Sequence, residues 1–163
     1  RLEEGDVQII RSGKGISHSE EIGEKSEIFQ IWFDPDISKT LLNVATYDDY
    51  KLDDFKIIES NNYTKKIIKG DGSPVELISE NITINELFFN SGTFKHNLNM
   101  DLMSSIFVLD GEAQFNNHLI KKGDFIIIED EQMLNIKCDS HIKLFKINST
   151  KNPSYDTYFQ RFG

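Results

Sequence analysis

A chain of 163 residues that is 38% hydrophobic has enough apolar side chains for one large domain or two small ones. Its 27 acidic and 18 basic residues give a formal net charge of -9, which repels phosphate backbones and anionic lipids. We therefore expect neither nucleic acid nor a membrane as a partner. The apolar runs are too short to span a bilayer, and a single cysteine cannot form an intramolecular disulfide, so a cytoplasmic location is expected.

Short runs of Phe, Ile and Val are separated by Asp, Asn and Gly, a pattern typical of antiparallel strands joined by tight turns. The chain is therefore predicted to be all-β. The predicted strands are residues 7–10, 28–33, 75–79, 82–89, 105–109, 125–128, 133–138 and 142–147. Trp32 falls in the second of these runs, so we expect it in the core, where Trp32→Ala would cost roughly 3 to 5 kcal/mol.

Between residues 34 and 56 the sequence is polar and shows little alternation, which indicates a connection between two β units. We place a domain boundary near residue 60, which gives an N-terminal unit with its linker, residues 1–60, and a C-terminal unit, residues 61–163. In the second unit, Asp110-Gly111 and Asn116-Asn117 are predicted to form hairpin turns. The continuously apolar residues 125–128 predict a strand that is buried on both faces.

The remaining features of the second unit concern its core and its end. Cys138 shares an alternating face with Leu134 and Ile136, so it is interpreted as core filling rather than a reactive thiol. Near the end, Asn152 and Pro153 are typical of a helix start. The aromatic residues that follow recur at helical spacing, so we predict a short C-terminal helix that packs on the protein through this stripe.

The candidate chemical site lies near the N-terminus. Gly13 and Gly15 predict a tight turn between two strands, after which His18 and Glu20, two residues apart on an extended backbone, project from one face. Imidazole nitrogen and carboxylate oxygen together suit Fe, Mn, Ni, Cu or Zn and supply two of the three or four ligands that a site needs. The alternative is a surface His-x-Glu pair in a hydrophilic turn, a common arrangement.

The same region carries a family resemblance. GDVQ at residues 5–8, followed by SGKGISHSE at residues 12–20, resembles the signature of the pirin family. FQIWF at residues 29–33 is similar to the strand that follows this signature. GDFIIIEDE at residues 123–131 is similar to a segment of the second domain of bacterial pirins.

The resemblance implies a bicupin, two double-stranded β-helix (jelly-roll) barrels with one mononuclear metal, most commonly Fe, in the N-terminal barrel. Three histidines and one glutamate hold the metal in this family, and His18 and Glu20 match the last histidine and the glutamate. The other two belong to a His-Pro-His type motif upstream of the signature. We therefore expect either a fragment, which we favour, or a natural truncation with an incomplete site.

Two functions are compatible with this resemblance. One is a metal-dependent dioxygenase of the quercetin 2,3-dioxygenase kind, in which Glu20 takes a proton from a small aromatic substrate such as a flavonol. The other is a non-catalytic metal-binding or regulatory protein-interaction module. An incomplete first barrel would leave a sheet edge that could pair with a second copy of the chain, giving a homodimer.

The second unit contains His96, His118 and His141, which are scattered singly without a partner carboxylate at matching spacing. We interpret them as structural or surface residues. The second barrel is therefore expected to hold no metal.

Overall fold

The computed structural model describes residues 1–162 and consists mainly of antiparallel β-sheet, which confirms the all-β prediction. Its strands are β1 Val7–Arg11, β2 Thr46–Tyr50, β3 Lys56–Ser60, β4 Tyr63–Lys69, β5 Thr83–Asn97, β6 Leu102–Phe115, β7 His118–Lys121, β8 Phe125–Ile128 and β9 Met133–Thr150. Its helices are α1 Ile37–Thr40, a single 3-10 turn at Leu52–Asp54, and α2 Tyr158–Phe162. None of these helices is long and apolar enough to cross a bilayer.

The strands form two sheets of unequal size. β1 and β2 pair with each other, while the other seven strands form one sheet in the order β3-β4-β5-β9-β6-β7, with β8 paired to β6. Every pairing is antiparallel. The strands β5, β6 and β9 are long and lie at the centre of the larger sheet.

These three long strands are each interrupted by a register shift, so that their two halves pair separately. The first half of β5 pairs with the second half of β9, and after a shift between Asn90 and Gly92 the second half of β5 pairs with the first half of β9. Side chains from both halves meet in one core. Its buried members are Leu87, Phe89, Ile106, Val108, Ala113, Phe115, Ile120, Leu134, Ile136, Cys138, Ile142 and Leu144. The interpretation of Cys138 as core filling is therefore confirmed, since it is 3% exposed.

The two predicted hairpin turns of the second unit have different outcomes. Asn116 and Asn117 both adopt positive φ and join β6 to β7, with Phe115 opposite His118, so this turn is confirmed. A turn at Asp110-Gly111 is wrong, because β6 continues through it with shifted register. At Gly111 φ is +78°, and a Cβ there would lie 2.2 Å from the carbonyl oxygen of His141, so only glycine fits this close strand contact.

A second, smaller cluster lies where the N-terminal segment meets the sheet. Its buried members are Phe55, Ile68, Val75 and Ile84, and Val7, Ile9, Phe33 and Tyr50 pack against it. Lys66 is 7% exposed, and its Nζ donates to the carbonyl oxygen of Gly5 at 2.7 Å. β1 and β2 therefore cover the outer face of β4 and β5.

The domain boundary near residue 60 stays a prediction. The strand β3, which lies on the N-terminal side of this boundary, pairs with β4 on the other side.

The predicted strand at residues 28–33 is wrong, and so is the burial of Trp32. This segment has no regular secondary structure and Trp32 is 88% exposed. Phe29 stacks on Phe107 at a centroid distance of 4.8 Å, and Phe33 packs against the smaller cluster. Phe29 and Phe33 therefore anchor the segment to the protein, and the Trp32 side chain between them points into solvent.

Two other strand predictions also need correction. Residues 75–79 form no strand, although Val75 is buried. β8 is buried on one face only, since Phe125 and Ile127 are exposed while Ile126 and Ile128 pack on the core. The reason is that one face of β8 packs on the main core, whereas the described residues do not cover the face that carries Phe125 and Ile127.

The predicted C-terminal helix is present as α2, but it begins at Tyr158 and not near Pro153. Thr157 and Gln160 form its N-terminal cap, since the Gln160 backbone N–H donates to Thr157 Oγ1 and the Thr157 N–H donates to Gln160 Oε1. The expected packing of its aromatic stripe is wrong. None of its residues is buried, and Phe159 is 79% exposed.

Candidate functional site

The glycine turn after β1 is present as predicted. The Gly15 backbone N–H donates to the carbonyl oxygen of Ser12, and the Lys14 N–H donates to that of Asn43. At Gly13 φ is +49°, and a Cβ would lie 2.2 Å from the Asn43 carbonyl oxygen, so a side chain is excluded there. The strand expected after the turn is wrong, because residues 16–20 have no regular secondary structure.

His18 and Glu20 nevertheless lie close together in this segment. His18 Nδ1 lies 3.7 Å from Glu20 Oε1, and the two side chains are 39% and 37% exposed. Transition-metal bonds to imidazole nitrogen and carboxylate oxygen are each roughly 2.0 to 2.2 Å long, so a single ion can reach both atoms across this gap. The donor pair therefore fits a metal as two of its ligands, and it also fits the alternative of a surface pair.

Within residues 1–162, no group of three or more His, Cys, Asp or Glu side chains is placed to hold a metal ion. The histidines of the second unit lie in three separate surroundings. His118 is exposed at the start of β7, and His141 Nε2 lies 3.1 Å from Asp110 Oδ2 on the surface. His96 alone lines a cavity, which is open to solvent on one side.

This cavity has a volume of about 440 Å³ and lies on the inner face of β4, β5 and β9. Its polar walls include Lys65, Asn85, His96, Lys146 and Asn148. Lys146 is 5% exposed and Asn85 is 8% exposed, both unusual values for polar side chains.

Hydrogen bonds hold the cavity side chains in place. Lys146 Nζ lies 3.0 Å from His96 Nε2. Ser104 Oγ donates to Asn148 Oδ1 at 2.7 Å, and Asn148 Nδ2 donates to Thr83 Oγ1 at 3.0 Å. Hydrogen bonds therefore connect the wall residues His96 with Lys146 and Asn148 with Thr83, and Ser104 on β6 supports Asn148 from behind.

Burial lowers the pKa of both basic groups, His96 and Lys146. Desolvation, with the positive charges of Lys146 and Lys65 nearby, lowers the pKa of His96 to about 4. Desolvation, with Lys65 nearby, lowers the pKa of Lys146 to about 8. At neutral pH His96 is therefore uncharged, and its Nε2 accepts a hydrogen bond from the Lys146 ammonium, which can only donate.

The lowered pKa of His96 predicts a specific acid sensitivity. Between pH 6.5 and 4 the unfolded chain binds a proton at His96 that the folded protein does not, so stability falls as the pH drops through this range. The variant His96→Gln keeps a hydrogen-bond acceptor but does not titrate. In urea unfolding at a series of pH values, wild type should lose more stability than His96→Gln over this interval. Parallel curves would contradict the buried neutral imidazole.

Sequence reasoning missed this cavity, although one signal was present. Ile142, Leu144 and Lys146 alternate along β9 on the same face, and the first two are fully buried. A lysine that follows buried apolar residues on the same face of a strand has two possible positions. It lies where the strand leaves the core, or its side chain lines a polar cavity. Only the folded sheet, which brings His96 back over Lys146, distinguishes the two.

Comparison with known proteins extends these observations. No family model matches the chain, and no curated protein matches it. Two crystal structures of quercetin 2,3-dioxygenase from Acinetobacter baumannii align with 69% and 71% of the chain, with TM-scores of 0.59 and 0.61 and sequence identities of 10% and 16%. The structure of GK1651 from Geobacillus kaustophilus aligns with 71% of the chain, with a TM-score of 0.58 and 18% identity.

The aligned region spans 42%, 39% and 51% of those three proteins, so the chain corresponds to about half of their length or less. At these identities the likeness concerns the fold. The chain has the cupin fold, a jelly roll of antiparallel strands. The bicupin arrangement and the resemblance to pirins stay predictions.

Proposed function

We propose that this chain belongs to a pirin-like bicupin with metal-dependent dioxygenase activity, and that His18 and Glu20 are two of its metal ligands. The observation that carries the proposal is the 3.7 Å approach of His18 Nδ1 and Glu20 Oε1, in the segment that follows the glycine turn of the pirin-like signature. The A. baumannii quercetin 2,3-dioxygenases with which the chain shares its fold support the reaction class.

The roles of the two residues follow from their chemistry. His18 offers an imidazole nitrogen and Glu20 a carboxylate oxygen, a pair that suits Fe, Mn, Ni, Cu or Zn. The resemblance to pirins favours Fe among these. Two upstream histidines would complete the ligand set, as the resemblance implies. The metal, when bound, supplies a Lewis-acidic, redox-active centre for an aromatic enol such as a flavonol. The Glu20 carboxylate, which is partly open to solvent, accepts the enol proton as general base.

Metal content of the natural gene product is the first test. We expect about one transition metal per chain in the wild type, and a reduced content in His18→Ala and in Glu20→Ala. His118→Ala is the matched control, because His118 is an exposed histidine on β7. Equal metal content in all four proteins would refute the ligand assignment.

Oxygen uptake with a flavonol is the second test. Loss of outer-shell partners of a metal typically costs about 10 to 100-fold in affinity or activity, so removal of a ligand should cost at least that much. Flavonol turnover that survives both substitutions would exclude this site as the catalytic centre.

A non-catalytic metal-binding or regulatory interaction module is the second candidate. It is favoured by exposed large apolar side chains in the N-terminal segment, with Trp32 at 88%, Leu42 at 80% and Val44 at 77%. Metal that binds through His18 and Glu20 without any flavonol turnover would support this candidate. The proposal also includes a homodimer that forms through an edge of the sheet, which a measurement of the molecular size in solution tests. It further includes a cytoplasmic location.

A further inference from the structure

We propose that the cavity on the inner face of β4, β5 and β9 is a binding site for a small hydroxylated organic carboxylate, whose anionic group is held by Lys146. The site is distinct from His18 and Glu20, neither of which lines this cavity. It requires no metal.

The first argument is the charge of Lys146. Buried lysines are normally paired with a carboxylate, because an isolated ammonium is costly to remove from water. The partly exposed Lys143 has such a partner in Glu86, at 3.0 Å, whereas the buried Lys66 donates to the backbone carbonyl oxygen of Gly5. The hydrogen-bond acceptor that the described residues provide for Lys146 is the uncharged His96, which satisfies one of its three N–H groups.

The second argument is the surroundings of that charge. Lys65 and Lys69 line the same cavity, and Asp71 is the one acidic residue among the described lining residues. The cavity is therefore locally positive in a chain whose net charge is -9. An anion in the cavity would compensate the charge of the Lys146 ammonium and would also be attracted by the charges of Lys65 and Lys69.

The third argument concerns the rest of the ligand. Asn85, Asn148 and Thr83 add neutral donors and acceptors to the walls. Asn148 is held by hydrogen bonds with Ser104 and Thr83. Such groups can form hydrogen bonds with the hydroxyl groups of a ligand. The volume of about 440 Å³ lies within the range of small-molecule sites, roughly 300 to 1,000 Å³.

The cavity also has an opening. Asp71, Asn97 and Asn99 are exposed residues of its wall and mark the side that faces solvent. Lys146 lies on the buried side. A ligand that enters between these residues would place its carboxylate against the Lys146 ammonium at the inner end. Its hydroxylated part would then lie against Asn85 and Asn148.

Calorimetric titration of the natural gene product with gluconate tests the proposal, with sorbitol as the uncharged counterpart of the same carbon chain and inorganic phosphate as a second anion. We expect gluconate to bind at least tenfold more tightly than sorbitol and more tightly than phosphate. Absence of gluconate binding at millimolar concentration, or equal binding of sorbitol, would overturn the proposal. Binding of phosphate in preference to gluconate would overturn the carboxylate assignment.

Two variants locate the site. Lys146→Met removes the ammonium and keeps an unbranched side chain one atom shorter, whereas Lys137→Met makes the same charge change at an exposed position of the same strand. Gluconate affinity should fall at least tenfold in Lys146→Met and stay within twofold of wild type in Lys137→Met. Equal affinity in Lys146→Met and wild type would show that gluconate binds elsewhere.

A measurement on the unmutated protein makes the test independent of how the variants fold. Gluconate affinity should decrease as the pH rises through about 8, where Lys146 loses its proton. His96 is uncharged in this range, and Lys65, Lys69 and Asp71 are the other charged groups that face the cavity. An affinity that does not change between pH 7 and 9 would contradict the role of Lys146.

Discussion

Leu144→Ala is expected to lower the free energy of unfolding by about 2 to 5 kcal/mol, while Trp32→Ala should change it by less than about 0.5 kcal/mol. Leu144 is fully buried at the centre of the main core, where removal of its side chain leaves a cavity that the packed neighbours cannot fill. Trp32 is 88% exposed, so its removal exposes little new apolar surface. Urea denaturation of both variants and wild type measures the two values.

This pair of variants directly tests the outward direction of residue 32. A loss of roughly 3 to 5 kcal/mol in Trp32→Ala would match a buried large aromatic side chain and would contradict its exposed position. A loss near zero in Leu144→Ala would contradict the pairing of β9 with β5 and β6, which places this residue between the two.

Gly111→Ala is expected to destabilise the protein by more than about 2 kcal/mol. Two effects add: positive φ costs an alanine of order 1 kcal/mol or more, and the new Cβ would lie 2.2 Å from the His141 carbonyl oxygen, so β6 and β9 must separate locally. The matched control is Gly123→Ala, where φ is +91° and no atom lies within 4 Å of the added Cβ.

The difference between these two glycine variants isolates the contact between strands. Gly123→Ala carries only the conformational cost, about 1 to 2 kcal/mol, since its Cβ would point into open space. If the midpoints of thermal unfolding of both variants fell equally, the close approach of Gly111 to His141 would not exist in solution.

Much of the larger sheet was predictable from local pattern. Alternation predicted residues 133–138 and 142–147, both of which lie in β9, and the Asn116-Asn117 pair predicted the hairpin between β6 and β7. The sequence could not show that residues 133–138 and 142–147 form one strand. It also could not distinguish a hairpin turn at Asp110-Gly111 from a register shift, because glycine permits positive φ in both.

The candidate site was only partly predictable, for related reasons. The spacing of two residues was sufficient to predict that His18 lies near Glu20, since it depends on a short stretch of backbone. The polar cavity depends on residues 50 positions apart, His96 and Lys146, which are not opposite each other in the pairing of β5 with β9 and meet only in the folded sheet. Nothing in the local sequence of either residue indicates the other.

The two neighbouring lysines of β4, Lys65 and Lys66, have opposite surroundings, since one lines the cavity and the other lies beneath the carbonyl oxygen of Gly5. Strand side chains alternate with a period of two, so insertion or deletion of one residue before them would exchange these places. In relatives that keep the cavity on one face of β4 and the N-terminal segment on the other, the number of residues in β4 should therefore be constant, even where individual residues differ. Gaps in an alignment should fall in the adjoining loops.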